Sequence, residues 1–197
     1  MGLTIHVKNM VCARCIKSVH LVFDRLGYAV EEVSLGQVRL KDETIYDAKI
    51  LKSFLVSEGF DLMEDRKAVM VERAKTLIIQ LIQTDGFATI HTTLSTSLAT
   101  QLGKDYHHLS TLFSSLENTT IEKFVILQKT ERVKELLIYN ELTLAEIAHR
   151  LAYSSAAYLS AQFKQQTGFT PSQFKKLKSH HRIALDEVAT ASESETT

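Results

Sequence analysis

The chain has 197 residues, 45% hydrophobic and 23% charged, enough apolar material for one large core or two small ones and too much for a disordered polypeptide. Its 23 basic and 23 acidic residues cancel, which excludes binding to nucleic acid or membrane by bulk charge alone. The balance is uneven, however: residues 141–182 hold six Lys+Arg against two Asp+Glu, and residues 183–197 hold four acids and no base.

No signal-peptide core stands at the N-terminus, and no segment reaches the roughly 18 uninterrupted apolar residues of a membrane span, so a cytoplasmic protein with no membrane partner is expected. In that reducing setting the two cysteines point to metal binding or redox chemistry rather than to a structural disulfide.

Leu3, Ile5 and Val7 alternate with Thr4, His6 and Lys8, the period-two pattern of a half-buried strand, with His6 on the outward, solvated face. Ile16, Val19, Phe23 and Leu26 recur at helical spacing until Gly27 stops the run. Alternating runs around residues 33–35 and 38–40 flank a hairpin turn at Gly36-Gln37. A second helix over residues 46–58 turns Ala48, Leu51, Phe54 and Leu55 inward and ends at Gly59, and residues 60–63 form a last strand. The order βαββαβ predicts a ferredoxin-like α+β domain over residues 1–67.

Cys12-Ala13-Arg14-Cys15 falls where the first loop enters the first helix. Two thiols at that spacing can face one ion, and the helix N-terminus with Arg14 and Lys17 favours the thiolate form. Sulfur ligands select Cu(I) first, with Zn(II) and other thiophilic metals open. A closed structural zinc site wants four ligands, and the chain has only two cysteines. A redox pair is the other reading. Met10-Val11-Cys12-Ala13-Arg14-Cys15 and Gly59-Phe60 resemble the heavy-metal-associated domain of copper chaperones and metal-pumping ATPases over residues 3–66, with Asn9-Met10-Val11 in place of that family's Gly-Met-Thr. The resemblance implies Cys12 and Cys15 as ligands, Met10 as a brace from the core and Phe60 as a shield over the site.

From Ala68 onward strand patterning ends. Val71, Ala74, Ile78, Leu81 and Ile82 predict an amphipathic helix closed by Asp85-Gly86. Residues 94–102 and 106–116, around Gly103, have a helix-turn-helix outline. A long helix over residues 120–139 starts with a capping pattern at Thr119-Thr120-Ile121-Glu122. The outline then returns in residues 143–152 and 155–166. An all-α domain with two helix-turn-helix units is therefore expected over residues 68–182, followed by an acidic, disordered tail over 183–197.

Ile147-Ala148, Tyr158-Leu159, Phe163-Lys164, Thr167-Gly168, Thr170-Pro171 and Phe174 stand in the order and spacing of the AraC/XylS signature. Leu98-Ala99, Leu102-Gly103, Leu109, Leu112-Phe113 and residues 131–137 are similar to the same family's first unit and connecting helix. The resemblance spans residues 70–178 and implies binding of double-stranded promoter DNA by two recognition helices, contact with RNA polymerase, and dimerisation through the N-terminal domain. Ala152-Tyr153 replaces the family's Gly-aromatic pair. The positions facing base edges would be His107, Ser110 and Thr111 in the first unit and Ser155, Ala156, Ala157, Ser160 and Ala161 in the second. None is Arg, so affinity would lean on phosphate contacts from Lys164, Lys175, Lys176, Lys178 and Arg182.

No nucleophile elbow or phosphate-binding glycine loop is present, and no enzyme is expected. The expectation is a metal-responsive, copper-sensing transcriptional regulator; its rival is a metallochaperone-like protein whose helical half is a protein-docking module.

Overall fold

Alternation of Ile5 and Val7 with outward residues makes β1 (Thr4–Lys8), one of the sheet's two central strands. In this computed structural model, which describes residues 3–41, 45–63, 65–84 and 94–177, β1 is followed by α1 (Ala13–Arg25), β2 (Val30–Ser34), β3 (Gln37–Leu40), α2 (Ala48–Ser57) and β4 (Asp61–Met63). The antiparallel sheet has the order β2-β3-β1-β4, with Ile5 opposite Val38 and Val7 opposite Leu62. Val19, Val22 and Phe23 of α1 and Leu51 and Leu55 of α2 cover one face, and with Ile5, Val7, Val38 and Leu40 they close a core.

Three local expectations need correction. The hairpin turn is Leu35-Gly36, with Gly36 at φ +80, because Gln37 already pairs in β3. Phe54 is 40% exposed: the buried stripe of α2 is only Leu51 and Leu55, and Phe54 lies at its edge. His6 is half-buried rather than solvated. Its burial and the nearby Arg73 guanidinium hold the imidazole pKa below the ordinary value, against a raising contribution from the Gly36 carbonyl.

The chain divides into two compact units, Met1–Leu77 and Ile78–Thr197. The division falls inside α3 (Arg66–Gln83), beyond the boundary that the loss of strand patterning suggests at residue 67. Residues 66–77 of α3 thus count with the first unit and 78–83 with the second.

The second unit contains α4 (Leu94–Leu102), α5 (Tyr106–Glu117), α6 (Ile121–Tyr139), α7 (Leu144–Arg150), α8 (Ala156–Thr167) and α9 (Pro171–Lys175). Side-chain oxygens cap five of these helices: Asp105 for α5, Thr120 for α6, Thr143 for α7, Ser155 for α8 and Thr170 for α9. Thr143 with Glu146 and Thr170 with Gln173 are reciprocal capping boxes. The cap of α6 is simpler than its sequence suggests. Thr120 takes the Lys123 N–H, while Glu122 accepts the Tyr106 hydroxyl at 2.6 Å and is also hydrogen-bonded by the Thr120 side chain. Phe113 meets Phe124 at 5.5 Å between ring centroids, and Phe163 meets Phe174 at 5.4 Å, so α6 supports the first helix pair and α9 packs on the second. Among the described residues no helix is long and apolar enough to cross a membrane. Asp85-Gly86, Lys178, Arg182 and the acidic tail lie outside the described residues.

The turn between α7 and α8 puts Ala152 at φ 50, a left-handed conformation that Asn118 and Asn140 also adopt but that a Cβ without a hydrogen-bonding group disfavours. Replacing Ala152 with Gly should therefore stabilise the second unit by about 0.5–1 kcal/mol, after allowing for the extra unfolded-state freedom of glycine. A higher urea midpoint at unchanged slope is the expected reading; an unchanged or lower midpoint would show that the turn is unstrained.

Candidate functional site

The first unit presents its chemistry in the connection from β1 to α1. Asn9 leaves the strand at φ 70. Its backbone N–H donates to Glu72 Oε1 at 2.9 Å and its side-chain Nδ2 donates to the Gly59 carbonyl at 3.1 Å. Met10 follows, fully buried in the core. Cys12 is the N-cap residue of α1 in extended conformation, and Cys15 lies in the first turn, packed against the core that contains Met10 and Phe60. The two sulfurs are 3.4 Å apart, in hydrogen-bond contact, and both thiols are free and partly exposed.

Burial opposes ionisation at Cys12, but the Cys15 and Arg14 backbone N–H groups, the Cys15 thiol and the Arg14 guanidinium together outweigh it, and its pKa falls below the ordinary thiol value. Cys15 moves the other way. Burial and its shared hydrogen bond with Cys12 raise its pKa against the Val11 and Cys12 backbone contributions. Cys12 is thus the leading thiolate, and a helix start supplies the positive end of the peptide dipoles.

The donor set fits a soft ion in two-coordinate geometry: two adjacent thiols, half-open to solvent. Among the described residues no group of three or more His, Cys, Asp or Glu side chains could hold a metal, so the arrangement does not suit a closed four-ligand zinc site, and His6 supplies no third ligand.

The second unit offers a separate surface. His107 and Thr111 of α5 are exposed and Ser110 is half-buried. On α8, Ala157, Ala161 and Lys164 are exposed, and Ala156 and Ser160 are half-buried. Two hydroxyls are already engaged. Ser155 Oγ accepts the Tyr158 N–H as the helix cap, and Ser160 Oγ donates to the Ala156 carbonyl at 2.9 Å. Lys175 and Lys176 are exposed at the end of α9, where Lys175 Nζ donates to Asn140 Oδ1 at 2.7 Å.

Tyr158 stands in the family signature, but the sequence gives it no contact role. It is 54% exposed in the first turn of α8, its ring 6.1 Å from that of Tyr153, which in turn lies under Lys129 Nζ at 5.0 Å. Burial lowers the Lys129 pKa to about 8, and burial with the neighbouring Tyr158 raises that of Tyr153 to about 12. The spacing of Tyr158 from Leu159 and Phe163 marks it as off the inward face, which was the available signal. Glu72 was missed for a different reason: its partner is 63 residues away.

Residues 98–177 match the family model of a helix-turn-helix domain. A curated relative, a helix-turn-helix-type transcriptional regulator in the cgkA 5′ region of Pseudoalteromonas carrageenovora, is 29% identical over 80 residues, 41% of this chain and 47% of the relative. The chain therefore spans about half the length of the curated relative it matches. Among solved structures, the C-terminal domain of the response regulator AraT from Geobacillus stearothermophilus is 26% identical, covering 59% of this chain and 97% of that one at a TM-score of 0.48. The C-terminal domain of the response regulator yesN from Fusobacterium nucleatum is 27% identical, covering 53% and 99% at a TM-score of 0.45. These relatives are regulators, and a helix-turn-helix domain is a binding module rather than an enzyme.

The loop geometry predicts unequal thiols. Limited alkylation of reduced protein near neutral pH, followed by peptide mapping, should label Cys12 well ahead of Cys15; equal labelling would contradict the split set by the Arg14 and backbone N–H groups.

Proposed function

We propose that this chain, which carries an AraC-type helix-turn-helix domain in residues 98–177, is a transcriptional regulator that responds to a soft metal ion, Cu(I) before Zn(II). The observation that carries the reading is the pair of free sulfurs 3.4 Å apart at the start of α1, in the same chain as a helix-turn-helix domain. The βαββαβ order and the sheet order β2-β3-β1-β4 support the heavy-metal-associated, ferredoxin-like reading of the first unit. Cys12 and Cys15 would hold the ion as thiolates, Met10 would fix the loop from the core, and Phe60 would close the apolar wall behind it.

The second unit would use α5 and α8 as recognition helices on double-stranded promoter DNA. With the hydroxyls of Ser155 and Ser160 engaged in the helix, base contact would fall to His107, Thr111, the methyls of Ala157 and Ala161, and Tyr158. Phosphate contact from Lys164 and Lys176 would supply much of the affinity, with Lys175 partly committed to Asn140. Contact with RNA polymerase and pairing of two copies would accompany such a role. Those same engaged hydroxyls favour one second reading, a metallochaperone-like protein whose helical unit docks to another protein.

Two outcomes follow. Reduced protein should take up one Cu(I) per chain in competition with a chromophoric chelator, and Ser at both Cys12 and Cys15 should abolish it; a double variant that holds Cu(I) as tightly as the parent would remove the site. On the chain's own upstream DNA, Lys164→Ala and Lys176→Ala should each weaken binding across sequences and flatten the salt dependence by about one unit of slope, Lys175→Ala less. Absence of salt-dependent binding even at low ionic strength would leave the docking reading.

A further inference from the structure

We propose that Glu72 is a positioning residue for the thiolate loop, tying the Asn9 peptide, and through it Cys12, to helix α3. The inference rests on the metal-binding reading of Cys12 and Cys15 but on a different contact. Asn9 stands at φ 70, a left-handed conformation that asparagine adopts readily, so its contacts rather than strain fix the peptide. It is held at two points: Glu72 Oε1 accepts its backbone N–H, and its side chain donates to the Gly59 carbonyl. From Asn9 only Met10 and Val11 separate the anchor from Cys12, and Met10 is locked in the core, so the direction of the Asn9 peptide sets where the loop delivers Cys12.

Glu72 is built for this contact. Its side chain is 7% exposed, and its two oxygens are divided between two partners, Oε1 to Asn9 and Oε2 to Lys75 at 3.3 Å, itself 5% exposed. A buried carboxylate is tolerated only where such partners replace water. Lys75 lies within α3, whereas the Asn9 bond is the long-range commitment of this carboxylate, made to a residue 63 positions away. Any rotation of the Asn9 peptide on metal binding must change that bond, and by reciprocity any change in the setting of Glu72 must change metal affinity.

The full-length chain tests this with three variants. Glu72→Gln keeps a carbonyl acceptor; Glu72→Asp keeps the charge beside Lys75 but withdraws it from Asn9; the double variant Glu72→Leu with Lys75→Leu replaces the pair by apolar groups. The parent and Glu72→Gln should agree in three readings: exchange of the Asn9 amide in the metal-free protein, the ratio of Cys12 to Cys15 alkylation, and Cu(I) affinity against a chelator. Glu72→Asp and the double variant, if folded by circular dichroism, should exchange the Asn9 amide at least tenfold faster, bring the two labelling rates together, and hold Cu(I) about tenfold more weakly. A Glu72→Asp protein with parental labelling ratio and Cu(I) affinity overturns the proposal, whether or not the double variant folds. Should the parent itself bind no Cu(I), the metal reading falls, and the Asn9 exchange and labelling ratio alone uphold or overturn the role of Glu72.

Discussion

Two thiols can share an ion only if the backbone delivers them to the same side of a loop, and here that delivery depends on how the Asn9 peptide is held. The strand before it is fixed by pairing on both sides, and the helix after it by burial of Val19, Val22 and Phe23. Between them lies a short connection with no regular hydrogen bonding of its own, in which every polar group needs an outside partner. Glu72 and Gly59 supply the partners at Asn9, and Met10 supplies the apolar anchor. The thiols then inherit an environment in which one is favoured as thiolate and the other is held back: burial and the shared sulfur contact hold back Cys15, while backbone N–H groups, that same contact and one guanidinium favour Cys12.

The second unit solves a related problem by repetition. Short helices are marginal alone and depend on capping and on packing against neighbours. Each capped helix here begins with an Asp, Ser or Thr whose oxygen takes a first-turn N–H, and the aromatic pairs Phe113–Phe124 and Phe163–Phe174 lock the helix pairs to α6 and α9. Capping also has a cost for recognition. Ser155 stands at the mouth of α8, where a hydroxyl could meet DNA, but its oxygen closes the helix instead.

What the sequence makes legible follows from the range of each interaction. The succession of strands and helices depends on periodicities of two and 3.6 residues, and the caps on neighbours two or three positions away, so both can be read from a single chain. Phe54 shows where that reading weakens: its spacing is inward, but how wide a stripe α2 buries depends on what packs against it. His6 shows the same for a strand face, since burial of the imidazole in the fold, with Arg73 nearby, makes the outward side of β1 other than solvent. Glu72 lies beyond local pattern altogether. A glutamate in an amphipathic helix reads as a solvated charge until the fold brings Asn9 to it. Cys12 and Cys15 were legible as a pair because their spacing is itself local, whereas the division of their acidities required the placed N–H groups.

Under the regulator reading, the distribution of side chains on α5 and α8 constrains how selectivity could arise. Direct readout is strongest where Arg, Asn or Gln reaches base edges in paired contacts, each worth about 1–3 kcal/mol of discrimination. The candidate base-facing positions that are exposed carry His107, Thr111, Ala157, Ala161 and Tyr158, which can contact a thymine methyl or make single hydrogen bonds but not that paired geometry. Lysines at residues 164 and 176 add affinity without choosing a sequence. A protein so equipped would bind many sites weakly unless DNA shape or a second input favoured one. Under the proposed metal response the thiolate loop would be that second input; its anchor Glu72 lies on the part of α3 that counts with the first unit. Under that reading, the less sequence information α5 and α8 carry, the more the outcome would depend on what occupies the loop.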